Sequence, residues 1–289
     1  MDLKKCEVLM TAIDLGSFTK AGAKLGYTQS GITQMMKSLE SEVGFPLFYK
    51  GHKGVSLTPE GEALLPSIRA LLFSNETVNQ EISFLKGLKK GTLRIGTYVS
   101  CSIHWLPDII RSFQSDYPGI TFQVMEGNGG EIVRWLEDFT VDIGLTSFQK
   151  DKSYDFIHVM QDPMLAVLPE GHPFSHYGQV PIEWFENQPF IICDRVDDAD
   201  IHPLLEKEGI TPDIRFTGKN DFSIASMVEH GLGVSIMPEL FLSCYNGNYV
   251  TRPLVPRSYR NLGIALRSSK DLSPAMKLFL QYMQNFLIT

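Results

Sequence analysis

The sequence predicts a multidomain chain, α+β at its N-terminus and α/β over its C-terminal two-thirds, with a long helix joining the two parts. Three observations lead there: three short helical periodicities followed by a strand, a tight turn and a strand; some thirty residues of continuous helical spacing; and then a regular alternation of strand and helix. A chain of 289 residues is too long for one small core, and 43% apolar with 20% charged residues marks it as ordered and globular. The net charge is −7, yet residues 1–58 hold seven Lys against five Asp and Glu, leaving −9 for the remainder. Polyanion binding is therefore expected at the N-terminal end only.

Leu3, Cys6, Met10 and Ile13 recur at three- and four-residue intervals on one face of a first helix that ends near Gly16. Ser17 caps a second helix, Phe18 to Leu25, whose Ala21, Gly22 and Ala23 let another helix come close. Gly26-Tyr27 makes the turn, and Thr28 is the N-cap of a third helix with Ile32, Met35, Met36 and Leu39 on its apolar side. Opposite that stripe project Ser30, Thr33, Gln34, Lys37 and Ser41. A merely solvated face usually mixes Glu, Lys and Arg, whereas hydroxyls and amides suit base edges and phosphates, where each can donate and accept. Residues 44–57 then read as strand, Gly-bounded turn and strand, with Lys50, His52 and Lys53 at the tip. Thr58-Pro59 supplies a cap and a first-turn proline for the next helix.

The stretch GSFTKAGAKLGYTQSGITQMMKSLESEVGFPLFYKGHKGVSLTPEGEALL is similar to the winged helix-turn-helix of LysR-type transcriptional regulators. Its landmarks are Gly16-Ser17-Phe18-Thr19, Ala21, Leu25, Gln29-Ser30, Leu39-Glu40, Gly44, Pro46-Leu47-Phe48, Leu57-Thr58 and Gly61. The resemblance implies dimers or tetramers on a partly palindromic operator, with the third helix in the major groove and RNA polymerase as a further partner. The side facing DNA would comprise Ser17, Thr19, Thr28, Gln29, Ser30, Thr33, Gln34, Lys37, Lys50 and Lys53, with Gln29, Ser30, Thr33 and Gln34 on the bases. Lys50 stands where the family usually has Arg, and the first arginine of the chain is Arg69. A surface without arginine lacks the bidentate fork that favours guanine, so an A·T-leaning site is expected. Gly31 replaces a customary Ala at a helix cost of about 1 kcal/mol, either for packing on the second helix or for close approach to DNA.

From Pro59 to about Leu88, Leu64, Leu65, Ile68, Leu71, Leu72, Val78, Ile82 and Leu85 keep helical spacing. Such a stripe calls for a partner helix, and the resemblance assigns dimerisation to Leu64, Ile68, Leu71 and Leu72. Gly87 and Lys89-Lys90-Gly91 form the hinge. Boundaries are therefore expected at 1–58, 59–90 and 91–289.

Strands at 92–98, 120–125 and 141–145 alternate with helices around Leu106–Phe113 and Ile132–Leu136; the pattern restarts with 190–193, 214–217 and 234–237, and closes with 262–266 and a helix at 276–287. A parallel α/β sheet is expected. Asp142-Ile-Gly-Leu, Leu168-Pro-Glu-Gly-His-Pro173, Gly231-Leu-Gly-Val-Ser-Ile-Met-Pro238 and Leu272-Ser-Pro-Ala275 resemble the LysR-type regulatory domain. This implies the two-lobed fold of type 2 periplasmic solute-binding proteins, with one lobe near 91–162 and 266–289 and the other near 163–265. An effector, polar or anionic, would lie beyond the carboxyl ends of strands, against Ser100, Cys101 and Ser102 at a helix start, with Asn128, Thr146 and Asn220 as further contacts. Asp221 reads as a helix N-cap in preference to a ligand contact, and residues 194–200 as an acidic solvated loop in preference to a border of the cleft.

Four scattered cysteines without a C-x-x-C pair imply neither zinc nor a disulfide framework. The sequence holds no intact G-x-S-x-G or P-loop; His172 and His176 have metal-like spacing, but Pro173 breaks the helix this would need. No enzyme, cofactor or metal is expected. No apolar run nears the ~18 residues of a membrane span, and the N-terminus lacks a secretory core, so a soluble cytoplasmic protein is expected. A competing reading is a cytosolic small-molecule-binding module whose N-terminal domain serves protein contacts.

Overall fold

The computed structural model describes residues 2–49, 54–150, 152–193, 198, 200–218 and 220–288. The chain divides into two compact units. The first runs to Ile82 and includes Asp138–Thr140; the second holds Ser83–Glu137 and the chain from Val141 on.

In the first unit α1 (Leu3–Asp14), α2 (Phe18–Leu25) and α3 (Gln29–Val43) precede α4 (Pro59–Leu85). The expected caps form: Ser17 accepts from the Lys20 N–H, Thr28 from the Gly31 N–H and Thr58 from the Gly61 N–H. Gly26, with φ of 75°, closes α2 in the left-handed region, as the turn requires. Cys6, Leu9, Ile32, Met36, Leu39 and Leu47 are buried together, each large apolar side chain contributing about 1.5–3 kcal/mol. Among the described residues the expected hairpin shows a bridge between Phe48 and Leu57, with the Tyr49 and Thr58 N–H groups donating to the Ser56 and Leu47 carbonyls; its tip, with Lys50, His52 and Lys53, lies outside the described residues. Its base is pinned by Glu40, whose carboxylate accepts from the Leu47 and Phe48 N–H groups at 2.8 and 3.2 Å.

Two glycines sit where backbones meet. A Cβ on Gly22 would lie 2.7 Å from the Tyr27 carbonyl, so the close approach of α2 to the start of α3 depends on Gly22; Ala23 is exposed. A Cβ on Gly31 would meet only the Thr28 hydroxyl, at 3.2 Å, which removes packing on α2 as the reason for that glycine. On Gly61 a Cβ would be 2.5 Å from the Leu47 carbonyl and 3.1 Å from Leu57. Gly61→Ala is expected to lower the urea midpoint of the N-terminal module, at a cost of about 1–3 kcal/mol, because backbone rather than a flexible side chain must move.

The stripe of α4 is not uncovered as expected. Ile68 and Leu65 are buried in the core of the same unit, and Leu64 and Leu72 pack against it. Of the four residues assigned to dimerisation only Leu71 is exposed; Val78, Ile82 and Leu85 join it as exposed apolar side chains.

The second unit comprises β1 (Gly91–Thr97), α5 (Val99–His104), α6 (Leu106–Asp116), β2 (Ile120–Glu126), α7 (Gly129–Glu137), β3 (Ile143–Ser147), β4 (Asp155–Pro169), β5 (Val180–Pro181), β6 (Pro189–Cys193), α8 (Ile201–Glu208), β7 (Asp213–Gly218), α9 (Asp221–Glu229), β8 (Ser235–Pro238), α10 (Glu239–Leu242), β9 (Tyr249–Leu266) and α11 (Pro274–Leu287). The main sheet has the order β2-β1-β3-β9-β4-β8, with β5 on β9, and β6 pairs with β7. The sheet is mixed rather than parallel. β1 runs parallel to β2 and β3, but β9 is antiparallel to both β3 and β4, and β4 to β8. Two long strands unite the halves: β4 and β9 pair with each other from Asp155 to Pro169, with a register shift after Met164. Leu262–Ala265 already pair with β3, so the return crossing precedes the boundary expected at 265/266. Among the described residues no helix is long and apolar enough to cross a membrane.

Candidate functional site

Two surfaces collect the polar chemistry. On α3, Gln29, Ser30, Thr33, Gln34, Lys37 and Ser41 are all exposed, opposite buried Ile32, Met36 and Leu39. Their hydroxyls are not equally available. Thr28 spends its oxygen on the Gly31 N–H and lies 3.1 Å from the Ser30 hydroxyl; Thr33 donates to the Gln29 carbonyl at 2.9 Å and keeps only acceptor capacity. Among the described residues the side chains of Gln29 and Gln34 keep full donor and acceptor capacity, a pairing suited to the edge of adenine. Thr19 is exposed and Ser17 half-buried at the start of α2.

The second is a cavity of about 320 Å³ within the second unit, at the carboxyl ends of β1, β2, β6 and β8. It is lined by Tyr98 and Val99, Glu126 to Gly129, Glu131, Met164, Cys193, Asp198, Asp200, Ile201, Asn220 to Phe222, Pro238 and Arg260. Of the expected contacts, Asn128 and Asn220 are here. Each also caps a helix: Asn128 exchanges hydrogen bonds with Glu131 at the start of α7, and Asn220 accepts from the Phe222 N–H at the start of α9. Asp221, read as a cap from sequence, is instead the first residue of α9, and its carboxyl lines the cavity.

Ser100, Cys101, Ser102 and Thr146 do not line it. The helix they were expected to open, α5, is only 6 residues long. Ser100 is buried and accepts from Arg260 at 3.1 Å; the single Ser102 hydroxyl hydrogen is shared between the Val99 carbonyl and Glu126. Cys101 is fully buried, and burial pushes its thiol up to about 12. The Thr146 hydroxyl is buried without a hydrogen-bond partner among the described residues.

No local signal in the sequence marks the hub under the cavity. Asp162 and Arg260 are cross-strand partners on β4 and β9. The guanidinium donates to Asp162 from Nε at 2.9 Å, forms an ion pair with the same carboxylate through Nη2 at 2.8 Å, faces Asp200 at 3.6 Å and lies over the Tyr98 ring at 4.8 Å. Burial opposes its charge, but Asp200 and Asp162 outweigh that and hold it firmly protonated. The Tyr98 hydroxyl bridges Ser147 at 2.9 Å and Asp200 at 3.1 Å; burial, then Asp200, pushes it well above its usual range. Asp162 also accepts from the Leu240 N–H, which ties α10 to both long strands. Burial raises Asp198 despite the N–H groups of His202, Ile201 and Asp200 on its carboxylate, and raises Asp221 to about 6, with Arg260 pulling the other way.

Residues 3–62 match the model of the bacterial regulatory helix-turn-helix proteins of the lysR family, and residues 86–287 match that of the LysR substrate binding domain. The uncharacterised regulator YvbU of Bacillus subtilis is 31% identical, over 97% of each chain. The crystal structure of full-length CbnR complexed with its target DNA shares the fold, with a TM-score of 0.67 and 17% identity over 99% of each chain. The effector binding domain of QuiR in complex with shikimate, with a TM-score of 0.62 and 21% identity, covers 69% of this chain and is itself covered to 98%. From its helix-turn-helix to its ligand cavity, this chain belongs to the LysR family of DNA-binding transcriptional regulators with an effector-binding domain.

Proposed function

We propose that α3 reads a partly palindromic operator in the major groove, with Gln29, Ser30 and Gln34 on base edges and Thr33 contributing its methyl and acceptor side. Ser17, Thr19, Thr28, Lys37, Lys50 and Lys53 serve the phosphates. The observation behind this is the α3 face itself: Gln29, Ser30, Thr33, Gln34, Lys37 and Ser41 are exposed, the adjacent Glu40 carboxylate is engaged by the Leu47 and Phe48 N–H groups, and Ile32, Met36 and Leu39 behind them are buried. A mobility-shift titration on the region upstream of its own gene, with competitor DNA, tests it. Retarded complexes that survive excess unrelated duplex are expected; complexes that unrelated duplex removes equally would favour the module with protein-contact function.

The regulator works as a dimer, or a tetramer of such dimers, paired along α4. Leu71, Val78, Ile82 and Leu85 recur at seven, four and three residues, the spacing of a coiled-coil seam, with half-buried Asn75 between the first two as a register-setting polar position. Val78→Glu with Ile82→Glu is expected to give a monomer in sedimentation and weaker operator binding. Ile68→Ala should instead destabilise the N-terminal module by about 2–5 kcal/mol without changing its mass.

The cavity holds a small effector, as the QuiR domain holds shikimate. An effector that fits one closure state of the two halves better shifts the geometry of the bound dimers by linkage, and so their contacts with DNA and with RNA polymerase beside it.

A further inference from the structure

We propose that the cavity between the two halves of the regulatory domain selects an organic cation, an ammonium or guanidinium group seated against the Asp221 carboxylate. This rests on reading the cavity as the effector site. Its described lining carries five carboxylates, on Glu126, Glu131, Asp198, Asp200 and Asp221, against the single guanidinium of Arg260. Asp194, Arg195, Asp197 and Lys219, which adjoin that lining in the sequence, leave the balance acidic.

Arg260 is already charge-paired: Asp162 accepts from its Nε and lies against Nη2, Ser100 accepts from Nη2, Asp200 faces Nη1 at 3.6 Å and Tyr98 covers a face. A carboxylate ligand would compete with Asp162 and Asp200 for that guanidinium and meet the carboxylates of the lining. Asp221, by contrast, accepts no hydrogen bond from any described residue while lining the empty volume. Asp198 is satisfied by backbone N–H groups, and Glu126 and Glu131 by Ser102 and Asn128. A carboxylate disfavoured by burial and by the neighbouring Asp200 and Asp198, on the lining of a cavity, is completed by a cation brought from outside. The cation is organic rather than metallic: among the described residues no group of three or more acidic, cysteine or histidine side chains could hold a metal ion. The Phe222 ring, beside Asp221, gives such a group an apolar wall.

The groups facing Asp221 are Arg260 from β9 and Asp200 and Asp198 from the segment before α8. Since burial holds its carboxyl near 6, cation affinity is strongest above that pH and falls as pH drops through it.

Calorimetric titration and thermal shift of the full chain test the proposal, with agmatine, putrescine and choline as cations and shikimate, citrate and benzoate as anions, at pH 7.5 and 5.5. At least one cation should bind and raise Tm at pH 7.5, weaken at pH 5.5, and lose about tenfold or more in affinity in Asp221→Asn. The unliganded Tm of Asp221→Asn at pH 7.5 should equal or exceed that of the wild type, because the substitution removes a charge that its surroundings disfavour and that accepts no hydrogen bond from any described residue. Binding of a carboxylate, no binding by any of the cations, cation binding unchanged in Asp221→Asn, or a lowered unliganded Tm would each overturn it. A parallel mobility shift on the operator separates the readings: specific retardation beside a failed cation panel leaves the regulator intact and removes only the ligand class.

Discussion

Replacing Arg260 with methionine is expected to lower the stability of the second unit by about 3–5 kcal/mol, because it leaves Asp162 as a buried charge without its counter-ion. For a unit of this size the midpoint should fall by roughly 10 °C. Asp162 has its side chain only 1% exposed and would keep only the Leu240 N–H, losing the Arg260 Nε hydrogen bond and the ion pair with Nη2. The damage falls at the register shift where β4 and β9 cross between the halves, so closure as well as stability should suffer. Arg260→Met with Asp162→Asn should recover part of the loss, since no charge is then buried alone. Thermal and urea unfolding of both variants checks this; an Arg260→Met protein within about 0.5 kcal/mol of wild type would contradict the hub's role. Arg260 also lowers the Asp221 carboxyl, so its loss should move cation binding to higher pH.

Gln29→Ala and Gln34→Ala are each expected to weaken operator binding by about 1–3 kcal/mol, roughly 5–150-fold, and to relax base preference at one position of each half-site. Both side chains are exposed and free of partners among the described residues, so truncation removes the contact without disturbing the fold. Lys37→Ala should weaken all sequences alike and reduce the salt slope by about 1. Thr28→Ala differs in kind. Its hydroxyl caps α3, so about 1 kcal/mol of stability should go with it. Fluorescence anisotropy on operator and scrambled duplexes at several salt concentrations separates these outcomes.

The N-terminal module was legible because its signals are local. Ser17, Thr28 and Thr58 are caps whose bonds close within three residues, and the buried stripe of α3 repeats at helical spacing. The limit shows on α4, where the same spacing runs through Ile68 and Val78 although the first is inside the module's core and the second exposed. Periodicity marks a face without naming what covers it. β4 and the first half of β9 escaped because Pro163, Pro253 and Pro256 interrupt them and their pattern follows no simple alternation. Arg260 and Asp162 meet across 98 positions, and nothing beside either predicts the other. At Asn220-Asp221 both residues cap well, so only geometry decides that Asn220 does so and Asp221 faces the cavity.

Selection of duplexes from a random-sequence pool by the full-length chain bears most directly on α3 as a reader of DNA. A partly palindromic consensus is expected, leaning to A·T where Gln29 and Gln34 reach, since no arginine precedes Arg69 to favour guanine. Recovery of no consensus would contradict sequence-specific reading by this helix, and half-sites rich in G·C would contradict the assignment of its base contacts.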